Sequence, residues 1–323
     1  MSRIGGAIVL VMIALCVGSL PYTLGSEAGQ TARRLEQTRP DHSMLPPFWV
    51  RHAQDEQSQV AAIAQKEGQE PKWLLGTDRL GRSVAVRLLA GGGISLAVGF
   101  SAAMMAVIIG TLYGTVAGWC GGRVDSIMMR IVDILYGLPY ILLVVLLAVA
   151  AGGLIDRANE AGGSSGVLDW IGGHREMVNI VTLLIAIGGV SWLTMARVIR
   201  GQVLSLKQQP FMEACRAIGV PLHRQFRRHL LPNLLGPIIV YATLTVPSAI
   251  LSESFLSFLG IGVQEPLPSW GNLAASGLSE LNTVRARWWL LAFPCGAIAL
   301  TLLALNFMGE GLRERFDPRS SRR

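Results

Sequence analysis

Few side chains in this sequence stand where they could make or break bonds. His42, His52, His174, His223 and His229 are scattered, and Cys16, Cys120, Cys215 and Cys295 form no CxxC pair and keep no metal-like spacing to them. Neither a zinc site nor a disulfide framework is supported. The triple glycine Gly91 to Gly93 lacks the lysine that a phosphate-cradling loop requires, so this chain is not expected to hydrolyse ATP or to hold a cofactor. No serine or cysteine sits in a nucleophile motif, and an enzyme is not expected. The remaining chemistry is electrostatic. Glu253 lies inside an apolar run, where an unpaired carboxylate costs several kcal/mol, so it should find a partner, face a watery path or be protonated. Arg130 and Asp133, one helical turn apart, read as a structural ion pair. The densest cluster is EACRAIGVPLHRQFRRHLLPN, Glu213 to Asn233, rich in arginine and punctuated by Gly219, Pro221 and Pro232.

These residues are carried by a chain of 323 residues with 51% hydrophobic and 15% charged content. A mean hydropathy of +0.46 is that of an integral membrane protein. A spanning helix needs about 20 mostly apolar residues. Six segments meet that standard: Ile4 to Leu24, Ile94 to Gly118, Ile127 to Ala151, Val178 to Ile199, Leu234 to Phe258 and Trp288 to Met308. All are expected to be helices, since open strands leave backbone polar groups unsatisfied in lipid. Trp270, Trp288 and Trp289 read as interfacial anchors.

Charge asymmetry sets the orientation. Arg197, Arg200, Lys207, Arg216, Arg224, Arg227 and Arg228 stand between spans four and five against the single acid Glu213, and Arg313, Arg315, Arg319, Arg322 and Arg323 follow span six. Both regions, and with six spans both termini, are therefore expected in the cytoplasm. The acids Asp156, Glu160, Asp169 and Glu176 suit the outer side. The net charge of +7 is explained by anionic lipid rather than nucleic acid. Span one is expected to be retained: it is long for a signal-peptide core, and no A-x-A site follows it. Ser26 to Lys72 reads as an external loop in which four prolines discourage long helices. Thr77 or Asp78 is expected to cap a short interfacial helix bearing Leu80, Val84 and Leu88.

In the basic cluster, Pro210 suits a first helical turn, and Phe211, Ala214, Cys215 and Ile218 then recur on one face until Gly219 stops the helix. Pro221 starts a second short helix with Leu222, Phe226 and Leu230 on one face, and Pro232 is expected to interrupt it before Asn233 caps span five. Periodicity alone leaves two readings open, a protruding helix-turn-helix and an interfacial helix resting on anionic lipid with Glu213 and Arg216 as a solvated pair.

Glu213, Ala214, Gly219, Leu231 and Pro232 stand at the spacing of the EAA motif of permease subunits of binding-protein-dependent ABC importers, which the segment resembles. Cys215 replaces the second alanine, and His229 with Asn233 resembles the ending of the dipeptide, oligopeptide and nickel branch. The stretches LGTDRLGRSVAVRLLAGGGISLAVG (Leu75 to Gly99), LSFLGIGVQEPLPSWG (Leu256 to Gly271) and LNFMGEGLRERFDPR (Leu305 to Arg319) are similar to the same branch, although Ser83 departs from its usual aspartate.

The resemblance implies an all-α membrane protein of six transmembrane helices with the type I ABC importer (MetI-like) permease fold, and the role of second permease in a peptide uptake system. It implies residues 1–24 as the first span, 25–91 as the external loop with its interfacial helix, and 92–308 as the core permease domain. Within that core, 200–233 would be the cytoplasmic coupling loop, followed by a basic tail at 309–323. It further implies a homologous permease partner, two ATPase subunits that use ATP and Mg, an external solute-binding protein, and an inner-membrane location. Glu213, Ala214, Cys215, Gly219, His229, Leu231 and Pro232 would contact the ATPase. Nickel or glutathione import is the alternative cargo, and a secondary transporter or a membrane scaffold fits the sequence less well.

Overall fold

The computed structural model describes residues 2–26, 33–160, 175–281 and 286–316. The acid Asp169, His174 and the arginines of the tail beyond Phe316 lie outside the described residues. Helix dominates, and among the described residues β-pairing is limited to isolated bridges. The helices are α1 (Ser2–Gly18), α2 (Leu20–Thr23), α3 (Gln54–Glu67), α4 (Val84–Cys120), α5 (Gly122–Tyr136), α6 (Tyr140–Glu160), α7 (Arg175–Lys207), α8 (Pro210–Ala217), α9 (Leu222–Arg224), α10 (Leu231–Phe258), α11 (Trp270–Ser279) and α12 (Trp289–Phe316).

Among these residues, five helical stretches are long and apolar enough to cross a membrane, or six if the bent pair α5 and α6 is one span. That pair corrects the third expected span. Instead of one rod over Ile127 to Ala151, two helices meet at 87°. Pro139 explains the break: it has no N–H to donate to the preceding turn, and its ring disfavours helical backbone at Leu138.

The bundle is organised around α4, which packs most extensively on α7 and also meets α10 and α1. Lipid tails are as apolar as leucine, so two helices associate only where their backbones come close. Gly110, Gly114 and Gly118 supply that approach: a Cβ on Gly114 would lie 2.3 Å from the Ala196 carbonyl oxygen, and one on Gly110 2.5 Å from Met195 Cβ. Farther out, α4 meets the segment after α10 over Gly92, where a Cβ would lie 2.6 Å from the Trp270 ring. Trp270 is fully buried and donates from Nε1 to the Leu88 carbonyl at 3.0 Å, and Trp289 is buried as well. Both are core residues rather than the expected interfacial anchors; only Trp288 is exposed. Sequence hydropathy cannot separate an indole at the interface from one filling a space left by glycine.

The segment between α2 and α4 is more ordered than its prolines suggest. Helix α3 is started by Glu56, whose carboxylate accepts from the Ala53 N–H at 2.8 Å, and is stopped by Gly68 at φ 72°. Buried His42 accepts from Trp73 Nε1 through Nδ1 at 3.2 Å and so presents its Nε2–H to Glu67 at 2.9 Å. Thr77 does not cap a helix. It is buried, donates to the His42 carbonyl at 2.6 Å and accepts from the Leu45 N–H at 2.8 Å. The separate interfacial helix over Leu80 to Leu88 is also absent, because Ser83 caps α4 itself and α4 runs on unbroken to Cys120.

Gly114→Leu forces the α4 and α7 backbones apart and is expected to cost about 1–3 kcal/mol, read as a lower unfolding midpoint in detergent. Gly6, whose Cβ would meet nothing within 4 Å, should accept leucine without change. Equal midpoints for both variants would show that the glycine seam does not hold the bundle.

Candidate functional site

The basic cluster forms the end of the bundle at the C-terminus of α7. Three cations on the last turns of α7 bind neighbouring helices. Arg200 donates from Nε and Nη2 to Asp125 at 2.7 and 2.6 Å, a bidentate pair that fixes the first turn of α5. Arg197 donates to Asp133 at 3.0 Å and lies 4.0 Å above the Tyr136 ring. Lys207 Nζ donates to the Gly118 and Trp119 carbonyls at 3.1 and 2.8 Å, capping the C-terminus of α4. The expected Arg130–Asp133 pair is therefore corrected: Asp133 takes its cation from α7, through Arg197, across the interface between α5 and α7.

From Gln209, in extended conformation, Pro210 opens α8 at the position where its missing N–H costs nothing. The helix ends in a Schellman turn: the Val220 N–H bonds the Cys215 carbonyl at 2.9 Å, the Gly219 N–H bonds the Arg216 carbonyl at 3.0 Å, and Gly219 sits at φ 74°. Arg216 does not pair with Glu213; it donates to the Lys207 carbonyl at 3.2 Å, tying α8 to the end of α7. Gln225 donates to the Val220 carbonyl at 2.6 Å and braces the turn from the far side.

The buried face of α8 differs from the expected one. Met212 and Cys215 point inward, while Phe211, Ala214 and Ile218 face out, with Ile218 80% exposed and Leu222 66% exposed beyond the turn. Glu213 stands among these exposed residues. The tip is thus an apolar knob carrying one acid, of the kind that marks an interaction surface. The second helix is not a separate piece either. After α9 the chain makes a π-turn over Gln225–Leu230, the Leu231 N–H bonds the Phe226 carbonyl, and α10 continues directly. Pro232 therefore sits within one helical stretch from Leu222 to Phe258, and Asn233 donates back to the His229 carbonyl at 2.6 Å instead of capping. The wider turn absorbs the ring that would break a regular helix. Beneath it Leu230 and Leu234 pack with Met195, Ile199 and Val203 of α7, and His229, Leu231 and Pro232 lie at the rim.

Glu253 is distant from the knob and fully buried on α10. It accepts from Ser257 Oγ at 2.8 Å and Ser254 Oγ at 3.3 Å, and the Ser95 and Ser269 hydroxyls lie close by. Those serines connect it to the segment after α10: Ser257 Oγ accepts from the Val263 N–H at 3.0 Å, and Ser95 Oγ from the Trp270 N–H at 3.2 Å. The side chains bonded to it are hydroxyls, and among the described residues no salt bridge reaches it.

A second charge cluster escaped the sequence reading. Asp78 accepts from Arg82 at 2.7 Å and Arg87 at 2.8 Å, and both guanidiniums also reach Glu265 at 3.2 and 3.1 Å. Partial burial alone pushes the Glu265 carboxyl up, but the charges of Arg87 and Arg82 outweigh it and hold the group below its usual range. The available signal was Arg87, a cation set among apolar residues that required a partner.

Residues 106–322 match the family described as the binding-protein-dependent transport system inner membrane component. The chain belongs to that family. This permease is 44% identical to the dipeptide transport system permease protein DppC of Bacillus subtilis over 76% of this chain and 69% of that protein. It is 43% identical to the oligopeptide transport system permease protein OppC of Escherichia coli over 85% and 82%. With the di/tripeptide transport system permease protein DppC of Pseudomonas aeruginosa it shares 32% identity over 98% and 88%. A solved chain of the MetNI methionine ABC transporter in an inward-facing form shares the fold, with a TM-score of 0.51 at 18% identity over 71% of this permease and 96% of that chain. The permease is thus a multi-pass membrane protein of the MetI-like fold, working within a binding-protein-dependent transport system.

A Cβ on Gly219 would meet nothing within 4 Å, so a substitution there changes only backbone preference. Gly219→Val is expected to destabilise the Schellman turn by about 1–2 kcal/mol, seen as faster amide exchange and proteolysis over 210–221 with membrane insertion unchanged. Exchange identical to wild type would mean that the turn does not depend on its left-handed residue.

Proposed function

We propose that this chain is a pore-forming permease subunit of an ATP-driven importer for dipeptides and oligopeptides, and that the knob of α8 and its Schellman turn docks on a cytoplasmic ATPase. The observation that carries this reading is the knob itself: a braced turn presenting exposed Phe211, Ile218 and Leu222 beside Glu213 at the motif spacing of the family. Four ties hold it to the bundle, through Arg216, Gln225, Cys215 and Met212. A surface meant only to rest on anionic lipid would gain nothing from an acid at its tip. The peptide cargo follows the names of the three peptide permeases that this chain resembles over most of its length.

In this reading the chain pairs with a homologous permease, and two ATPase subunits bind ATP and Mg and supply all hydrolysis. An external solute-binding protein delivers cargo, and both termini lie in the cytoplasm. Glu213, Ala214, Cys215, Gly219, His229, Leu231 and Pro232 form the docking region within 200–233, and 92–308 is the core permease domain. Cys215 and Met212 act from beneath, since both are buried. Closure of the ATPases shifts the knob, and α7 passes the displacement to α5 through Arg197 and Arg200.

Ile218→Asp alters a side chain that touches little of its own protein, so insertion and pairing with the partner permease should persist. Peptide uptake should fall at least tenfold, and the ATPase subunits should be lost on purification. Glu213→Lys should do the same by reversing a charge at the contact, whereas a lipid-resting helix would gain membrane affinity from it. Wild-type uptake with full ATPase retention in both variants would remove the docking role. A cysteine placed at Ala214 should react with an impermeant thiol reagent only in inverted vesicles; labelling in intact cells would reverse the orientation.

A further inference from the structure

Much of the bundle's exposed surface is hydrocarbon, as with Met104, Ile108 and Leu112 on α4 and Leu300 and Leu303 on α12. The flank between α6 and α10 is built differently. Tyr140, at the start of α6, places its hydroxyl 3.1 Å from Ser191 Oγ on α7 and 3.3 Å from Ser252 Oγ on α10. Tyr140 and Ser252 line a groove of about 370 Å³ with Ser248, Leu251 and Phe255. No residue lining it carries a formal charge.

The protons of this cluster do not suffice for its contacts. Ser191 O–H donates to the Ile187 carbonyl at 2.8 Å, and Ser252 O–H donates to the Ser248 carbonyl at 2.9 Å. Three hydroxyl protons, those of Tyr140, Ser191 and Ser252, serve these four contacts, so one contact is always short of a proton and acceptor lone pairs are left over. Ser248 O–H likewise donates within its own helix, to the Leu244 carbonyl at 3.2 Å, and leaves its lone pairs unused. The groove therefore offers neutral acceptors and lacks donors. Hydrocarbon cannot supply a donor. An extended peptide supplies a main-chain N–H at every non-proline residue, whatever its side chains, and Leu251 and Phe255 give those side chains an apolar wall.

We infer that this groove is the chain's half of the cargo path, and that the hydroxyls of Tyr140, Ser248 and Ser252 accept hydrogen bonds from the main chain of the passing peptide. Uncharged acceptors fit an importer that must release its cargo, since they hold the backbone without a counter-charge to discriminate among side chains. The inference rests on the peptide-import reading and adds to it the surface along which cargo moves.

The test uses the assembled complex with its native cysteines replaced and single cysteines introduced at Ser252, Ser248 or Met104. A water-soluble, charged methanethiosulfonate reagent should modify Ser252→Cys and Ser248→Cys, more slowly in the presence of saturating peptide-loaded binding protein, and modification should stop uptake. Met104→Cys should remain unreactive and transport normally. The double variant Tyr140→Phe with Ser252→Ala should lower peptide uptake several-fold. Unreactive cysteines at both serines, as when the partner permease seals the groove, would overturn the inference, as would wild-type uptake by the double variant. If modification of Ser252→Cys stopped uptake of a non-peptide cargo while peptides were never transported, the groove would stand as the path and the peptide reading would fall.

Discussion

Within a bilayer, two apolar helices gain nothing by exchanging lipid for each other unless their backbones come close enough for dispersion to exceed what lipid tails already provide. In this protein that condition is met along Gly110, Gly114 and Gly118, where α4 lies almost against the Ala196 and Arg200 backbone of α7. The architecture at the α8 end of the bundle depends on this approach. Only with α7 drawn in so tightly can Lys207 reach the last carbonyls of α4, and only with α7 in that place do Arg197 and Arg200 reach the acids of α5. The α8 knob is tied in turn to the Lys207 carbonyl through Arg216. Three glycines thus set, through a series of charge-assisted bonds, where the exposed tip stands.

The opposite end is organised by the same economy of small residues around a polar centre. Gly92 makes room for Trp270, and a Cβ on Gly271 would lie 2.1 Å from the Ser254 carbonyl oxygen. Into this close packing the fold places the Glu253 carboxylate with serine hydroxyls from α4, α10 and the cap of α11. Ser257, which holds one oxygen of that carboxyl, also holds the Val263 N–H, and Ser95 beside it holds the Trp270 N–H, so a group that would be costly alone helps join α4, α10 and the segment after it.

The spans were legible because hydropathy over about 20 residues leaves few alternatives, and the Gly219 turn was legible because the spacing of Pro210, Gly219 and Pro221 fits little else. Where the sequence reading failed, local rules met tertiary context. Pro139 and Pro232 look alike in sequence, yet the first breaks a helix at 87° and the second is carried through on a π-turn, because Leu230 and Leu234 are anchored on α7 at that point. Arg130 is one turn from Asp133, and the acid nevertheless pairs across the interface with Arg197. On α8 the face read from Phe211, Ala214, Cys215 and Ile218 is split, with Cys215 turned inward beside Met212 and the other three facing out; periodicity finds a face without saying what covers it. The link from Asp78 to Glu265 joins residues 187 positions apart, and no local pattern announces it.

The unbroken passage from Leu222 through the π-turn to Phe258 has a mechanical consequence. At 1.5 Å per residue, the distance along the helix from Leu222 to Glu253 is about 46 Å. A rigid lever of that length tilted by 5° at one end displaces the other by about 4 Å, roughly the spacing between packed side chains. The extra residue in the π-turn sits beside the pivot on Leu230 and Leu234, where a single hydrogen-bond register can be gained or lost without disturbing the arm on either side. The arm is continuous in its backbone, although Pro237 and Pro247 each remove a donor from its ladder, so a displacement at the Leu222 end travels toward Glu253 along the main chain as well as through the side-chain pairs of α7 and α5.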